Sequence, residues 1–265
     1  VPWVRRRGCT RWCLGKSLSA KCLHALPHGG SLALGRGQPV LDRSDVRQVQ
    51  KRRNFQVNEP SLQCLTRDLS GGASHARQAR TFCEAGARWV QLRSKTLRGY
   101  ELLSEASEVA ETCAEFGAVF ILNDYPEAAA SVGASGVHLG ANDSDPVRVA
   151  AAYGADLMLG GTVNSCSDAL DFTEKGACAY AGVGPFRATA TKSNHAPVLT
   201  HEDLLAIHEM LGPIPAYVIG GVTPEDVEDI LSMGYAGVAA CGALFDEAGE
   251  PSAEHVRRFL RVTDS

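Results

Sequence analysis

Two textures alternate along most of this chain, and that alternation limits its fold more than any other feature. From Leu62 onward short apolar runs recur: LQCLT (62–66), RWVQL (88–92), VFILN (119–123), GVHLG (136–140), DLMLG (156–160), AYAGVG (179–184), AYVIGG (216–221) and AGVAAC (236–241). Most are nearly continuous in apolar character, as a strand covered on both faces requires. The segments between them carry helical spacing, clearest in SHARQARTFCEAG, GYELLSEASEVAETCAEFG, DALDFTEKG and TPEDVEDILSMG, and SAEHVRRFL closes the chain. Gly86, Gly117, Gly133, Gly154, Gly176 and Gly234 stand shortly before the next run, where a helix ends on a residue of positive φ. In TPED, Thr223 is placed as an N-cap with acids in the first turn.

This makes eight strand–helix units within residues 61–265. Strict alternation implies parallel strands joined by right-handed crossovers, and eight units close into a (β/α)8 TIM barrel. The other arrangement open to such a pattern is a doubly wound open sheet. That fold carries a glycine fingerprint after its first strand, and TRDLSGG is not one.

Composition narrows the class of partner. The chain is 265 residues long and 45% hydrophobic, and no apolar run reaches the roughly 18 residues of a membrane span. Residues 1–60 hold twelve Lys and Arg against Asp42, Asp45 and Glu59, a balance of +9, so the net −4 of the chain leaves −13 on residues 61–265. An acidic body argues against broad nucleic-acid binding, which needs a basic face. Residues 1–60, rich in Arg, Gly and Ser, read as a basic, low-order N-terminal extension with no catalytic part. A transit-like segment or an over-extended start of translation are the alternatives. Its run CLHALPHGGSLALG is too broken for a secretory signal. Starting the chain near Asn58 is expected to leave activity intact. The nine cysteines are scattered with no CxxC, and Cys9 and Cys13 lack a companion cluster for zinc. That usage suits a reducing cytoplasm. The sequence leaves room for a homo-oligomer.

A barrel of this kind does its chemistry where strands end and βα loops begin. The strand ends carry Thr66, Arg67 and Asp68; Gln91, Arg93 and Lys95; Asn123 and Asp124; His138, Asn142 and Asp143; Thr162 and Asn164; Thr189, Thr191 and Lys192; Gly220 and Gly221; Cys241 and Gly242. In QLRSK the strand period puts Gln91, Arg93 and Lys95 on one side, pointing to the barrel mouth. With Lys192 arriving on another loop, these cations point to an anion such as a phosphate. Asp124 and Asp143 follow neighbouring strands, and a Mg²⁺–diphosphate complex fits two carboxylates beside several cations. Asp145 is the better cap for the helix after strand four, which leaves Asp143 free of that role. For Asp124, spacing alone leaves capping and metal binding equally open. The glycine pair of IGGV and the small residues after strand eight let backbone N–H groups approach a second phosphate. His138 reads as a satisfied core histidine.

The pieces VQLRSK, ILND, GVHLGAND, YAGVGPFRATATK, AYVIGGVTPEDV and AGVAACGAL follow one another over roughly residues 60–262. Together they resemble the thiamine phosphate synthase (thiamine-phosphate diphosphorylase) family. The resemblance implies a Mg²⁺-dependent transferase on a TIM barrel. It would join a hydroxymethyl-aminopyrimidine diphosphate to a thiazole monophosphate, giving thiamine phosphate and diphosphate. It assigns Gln91, Arg93, Lys95, Asn123 and Lys192 to the pyrimidine diphosphate and Asp124 and Asp143 to Mg²⁺. Arg93, Lys95 and Lys192 become the catalytic cations. Thr162 falls near the pyrimidine, and Thr189, Thr191, Gly221 and the amides around Cys241 and Gly242 receive the thiazole phosphate. The chain departs from the family pattern at Ser94, Ala141, Arg187, Ala188 and Gly242, and none of these removes a charge assigned to diphosphate or metal. A thiazole tautomerase and a non-catalytic thiazole-phosphate-binding regulator share the barrel. The first leans on a His where this chain has Asn164, and the second has no need of Mg²⁺ ligands.

Overall fold

The structure, a computed structural model, describes residues 60–140, 143–154, 156–188 and 197–263. The basic segment before Pro60, and with it Cys9 and Cys13, lies outside the described residues. Eight strands form a closed, all-parallel barrel in chain order: β1 (Leu62–Leu65), β2 (Trp89–Leu92), β3 (Val119–Asn123), β4 (Gly136–Leu139), β5 (Met158–Val163), β6 (Tyr180–Val183), β7 (Ala216–Ile219) and β8 (Gly237–Ala240). Closure is made by β1 against β8, with Leu62 opposite Val238 and Cys64 opposite Ala240. The expected barrel is therefore the observed one.

The helices among the described residues are α1 (His75–Glu84), α2 (Gly99–Glu115), α3 (Pro126–Ser131), α4 (Pro146–Tyr153), α5 (Cys166–Lys175), α6 (His201–Leu211), α7 (Val227–Ser232) and α8 (Ala253–Thr263). Four of their starts follow from side chains that accept the first unpaired N–H groups. Ser74 caps α1, Asp145 caps α4 as expected, Ser165 caps α5, and Thr200 with Asp203 closes a capping box on α6. The Thr223 cap precedes a short 3₁₀ turn, Pro224–Asp226, that leads into α7.

Strand alternation divides the core. Outward residues such as Val90, Leu92, Phe120, Leu122 and Val137 pack with Ala79, Cys83, Leu102, Val109 and Cys113 of α1 and α2. On the opposite side Leu62, Cys64, Val183, Val218 and Val238 pack with Phe82, Leu204, Ile207, Ile230 and Phe259. Trp89, Ile121, Met158, Tyr180 and Tyr217 form a separate cluster inside the barrel. Trp89 meets Tyr180 and Tyr217 edge-on, with centroids 5.0 and 4.8 Å apart, a favoured aromatic geometry. This plug makes the barrel a filled core and confines chemistry to its upper end.

Two local expectations are corrected. Strand β5 runs to Val163, past the Gly160–Gly161 pair at which the apolar run ends. Those glycines mark close approach within the strand. A Cβ on Gly160 would lie 2.1 Å from the Tyr180 ring, and one on Gly161 would lie 2.8 Å from Phe172. Gly154 does not have positive φ; it ends α4 at φ −59°, and a Cβ there would sit 2.3 Å from the Ala150 carbonyl oxygen. The other five helix-ending glycines do have positive φ.

Candidate active site

Below the mouth, a chain of polar side chains crosses the barrel. Gln91 Nε2 donates to Gln63 Oε1 at 3.0 Å, and Gln63 Nε2 donates to the Tyr180 hydroxyl at 3.4 Å. The same hydroxyl lies 3.2 Å from His138 Nδ1, and His138 Nε2 lies 3.0 Å from Thr162 Oγ1. Burial pushes the Tyr180 hydroxyl well above its ordinary pKa against the bond from Gln63, so it stays protonated. The imidazole thus bridges the Tyr180 and Thr162 hydroxyls. His138 is thus the satisfied core histidine that was expected. The layer is fully paired because a buried unpaired polar group costs about 1–3 kcal/mol.

That layer changes the reading of QLRSK. Gln91 is buried and bonded to Gln63, one level beneath the mouth. The strand ends at Leu92, and Lys95 lies in an exposed bend beyond it. Gln91, Arg93 and Lys95 therefore do not form one row at the mouth, because the two-residue period stops with the strand. Arg93, half-buried, is the residue at the rim. Burial raises the Cys241 thiol pKa at the end of β8, and the positive charges of Arg93 and Arg67 oppose it.

The loop after β2 is tied down by an acid from the loop after β1. Asp68 accepts the Ser94 hydroxyl at 2.5 Å and the Lys95 N–H at 2.7 Å. Ser94 Oγ in turn accepts the Leu97 N–H at 2.9 Å. Ser94, one of the departures noted above, is thus bonded to an acid from another loop. Burial alone would raise the Asp68 pKa; the bonds from Ser94, the Lys95 amide, Thr96 and His75 outweigh it and hold the carboxyl below its ordinary value.

Asn123 ends β3 in register with His138 on β4. Asp124, next in the chain, has φ +76°, the only non-glycine with positive φ among the described residues, and its N–H donates to the His138 carbonyl at 2.9 Å. A left-handed Asp at a loop start is the kind of local strain that collects at functional positions. The N-cap of α3 is Tyr125, with no side-chain cap bond, so Asp124 is not the cap of that helix. Asp143 Oδ2 accepts the Gly140 N–H at 2.6 Å, which orients the carboxylate over the end of β4. Asn164 donates to the Gly184 carbonyl and its N–H binds Asp168 at 2.8 Å, so it joins the ends of β5 and β6.

Across the mouth, the base of the β6 loop lies on the glycine pair after β7. Arg187 N–H donates to the Gly220 carbonyl at 2.8 Å, and its side chain donates to the Gly221 carbonyl at 3.0 Å. The guanidinium also pairs in two-pronged fashion with Asp226, whose carboxylate takes the Thr223 N–H and hydroxyl at 2.8 and 2.9 Å. A Cβ on Gly221, at φ +72°, would lie 2.8 Å from the Arg187 Cβ. The pair is therefore required by its own backbone and by the β6 loop packed upon it. At Gly242 a Cβ would meet nothing within 4 Å, so the turn after β8 faces open space. Thr189, Thr191, Lys192 and Asn142 lie outside the described residues.

Fold and site together define a parallel (β/α)8 barrel with a polar floor and a mouth that gathers arginine, aspartate and small-residue turns. The family model described as thiamine monophosphate synthase matches residues 62–244, and the chain belongs to that family. It is 36% identical over 188 residues to a thiamine-phosphate synthase of Phocaeicola vulgatus, spanning 69% of this chain and 89% of that protein. It is 34% identical over 206 residues to one of Bacteroides fragilis, spanning 76% and 99%. Among solved structures it is similar to the thiamine phosphate pyrophosphorylase of Pyrococcus furiosus, with 26% identity, a TM-score of 0.68 and coverage of 78% of this chain and 96% of that one.

Proposed function

We propose that this barrel joins the diphosphate of a hydroxymethyl-aminopyrimidine to a thiazole monophosphate, releasing diphosphate and forming thiamine phosphate. The observation that carries the reading is family membership across the whole barrel, together with Arg93 standing half-buried at the end of β2. The bond between the pyrimidine CH₂ and the diphosphate oxygen breaks with its electron pair on oxygen. The thiazole nitrogen then supplies the pair for the new C–N bond. No protein nucleophile is needed.

Arg93 and Lys95, with Lys192, would balance the charge that collects on diphosphate, a form of electrostatic stabilisation that acts as the charge develops. Gln91, one level lower, and Asn123, at the end of β3, would contribute to holding the pyrimidine diphosphate, and Thr162, bonded to His138, would lie near the ring. The turns at Gly221 and at Cys241–Gly242, with Thr189 and Thr191, would take the thiazole phosphate. Holding both partners in line and away from water supplies the remainder.

Asp124 and Asp143 would hold Mg²⁺. Two carboxylates on adjacent loops suit that ion, which completes its shell with phosphate oxygens and water. Among the described residues no group of three or more His, Cys, Asp or Glu side chains is assembled for a metal. When bound, Mg²⁺ would stabilise the negative charge of the departing diphosphate. The reading includes a cytoplasmic setting, supported by Cys64, Cys83 and Cys113 serving as buried small hydrophobes.

The test is incubation of the protein with both substrates, with and without Mg²⁺. Diphosphate release only when both substrates and the ion are present supports the synthase. Isomerisation of the thiazole alone, or binding with no turnover, would replace it with the tautomerase or the regulator.

A further inference from the structure

We infer that Asp68, backed by His75 and Thr66, is a positioning device that fixes the backbone from Arg93 to Lys95 and thereby sets how tightly the mouth holds diphosphate. This rests on the proposed reaction for its substrate, but not for its geometry.

The device begins with polar residues where a helix should be apolar. The buried stripe of α1 holds Ala79, Phe82 and Cys83, yet it also buries His75 and Gln78, at 5% and 0% exposure. Gln78 grips both peptide groups of Arg67: its Oε1 accepts the Arg67 N–H at 2.9 Å and its Nε2 donates to the Arg67 carbonyl at 2.8 Å. That clamp places the two neighbours of Arg67 against the His75 ring. Nδ1 lies 2.7 Å from Thr66 Oγ1 and Nε2 lies 3.2 Å from Asp68 Oδ1.

Each residue so placed then takes a group from the β2 loop. Thr66 Oγ1 accepts the Arg93 N–H at 3.2 Å, and Asp68 accepts the Lys95 N–H and the Ser94 hydroxyl. The amides on either side of Ser94 are thus held from one neighbouring loop, which is held from one helix. Among the described residues Arg93 makes no side-chain hydrogen bond or ion pair, so the device constrains its backbone while its guanidinium stays available. Sites for small anions depend on such support, because a displacement of under an ångström at the ligand loses much of the interaction.

The experiment compares wild type with Asp68→Asn, Ser94→Ala and His75→Gln. It reads inorganic pyrophosphate affinity by calorimetry in Mg²⁺, the KM of each substrate, and the thermal midpoint. Asp68→Asn replaces a carboxylate whose two oxygens both accept by an amide that must point an N–H at one of the donors. It should weaken pyrophosphate and raise the diphosphate-substrate KM by about tenfold, with the thiazole-phosphate KM unchanged. Ser94→Ala, which removes one donor, should shift the same two quantities by about threefold. His75→Gln should fall between wild type and Asp68→Asn. Wild-type affinity for pyrophosphate in folded Asp68→Asn, or equal shifts in both KM values, would overturn the inference. If Asp68→Asn does not fold, an unshifted Ser94→Ala does the same. Wild type that binds pyrophosphate but releases none from the two substrates would remove the proposed reaction. Loss of that binding in Asp68→Asn would still uphold the device.

Discussion

At the end of β2, Asp68 takes a hydroxyl and a backbone amide from the loop that carries Arg93 and Lys95, whereas at the end of β6, Asp226 takes the guanidinium of Arg187 itself. The two sides of the mouth use the same residue types to opposite ends. On the β2 side the acid shapes the loop, and among the described residues the Arg93 guanidinium makes no hydrogen bond or ion pair. On the β6 side the arginine is engaged in a bidentate pair and a bond to Gly221, which joins two loops. An arginine near a mouth is therefore engaged as a strut or left out of the loop's own bonding according to what the neighbouring acid has already taken.

The largest effect should come from Arg93→Ala. If that side chain balances charge on diphosphate, kcat/KM should fall by about 10²–10³ with the fold retained, as measured by diphosphate release. Arg187→Ala should retain far more turnover, and equal losses would break the comparison.

Next is Gly221→Ala. Positive φ and the 2.8 Å approach of the Arg187 Cβ both oppose a side chain. A cost of about 1–3 kcal/mol is expected, seen as a fall of roughly 2–4 °C in Tm per kcal/mol. An unchanged Tm would show that the two loops are not in register as described.

Arg187→Ala should cost less, about 1 kcal/mol or below, because the side chain is 49% exposed and its pair is screened. Arg187→Lys should not restore the loss, since an ammonium cannot make the two-pronged pair. Urea midpoints of the three proteins decide this.

The smallest effect is the pH dependence. The Arg187 guanidinium holds the Asp226 carboxyl below its ordinary value of 3.8 against the opposing pull of burial, and Thr223 adds to it. A depressed folded pKa contributes stability that is present above the unfolded value and is lost as pH falls through the folded one. Wild type should therefore weaken below about pH 4, and Asp226→Asn should weaken less over that interval. Parallel losses in denaturant melts at pH 5 and pH 3 would remove the Asp226 contribution.

The barrel itself was legible because its signal is local. Continuous apolar runs and helical spacing each report burial within a dozen residues, and eight of them in alternation leave little choice of architecture. The strand ends can be read from the same pattern, which puts Arg93, Asp124 and Asp143 at or just past them and separates Asp145 from Asp143 as the cap. Thr162 was placed after β5 and proved to be within it, because a glycine pair reads as a stop unless the Tyr180 ring above it is known. Gln91 was assigned to the mouth on a period that ends at Leu92. Asp68 stands among the strand ends with no role visible in the sequence, and the roles of His75 and Gln78 depend on partners from other elements. Their signal was present as two polar residues spaced i and i+3 on the buried stripe of α1.

The amino-acid sequence by itself determined which segments are strands and helices, their parallel order, and which residues fall at the chemical end of the barrel. Only the tertiary structure decided which of those residues meet. Gln63 reaches Tyr180 across 117 positions, Asp226 reaches Arg187 across 39, and Asp68 reaches Lys95 across 27. The periodicity of a segment records only which side it buries. What that side finds there is set when β1 closes on β8 and brings loops from distant parts of the chain around one mouth.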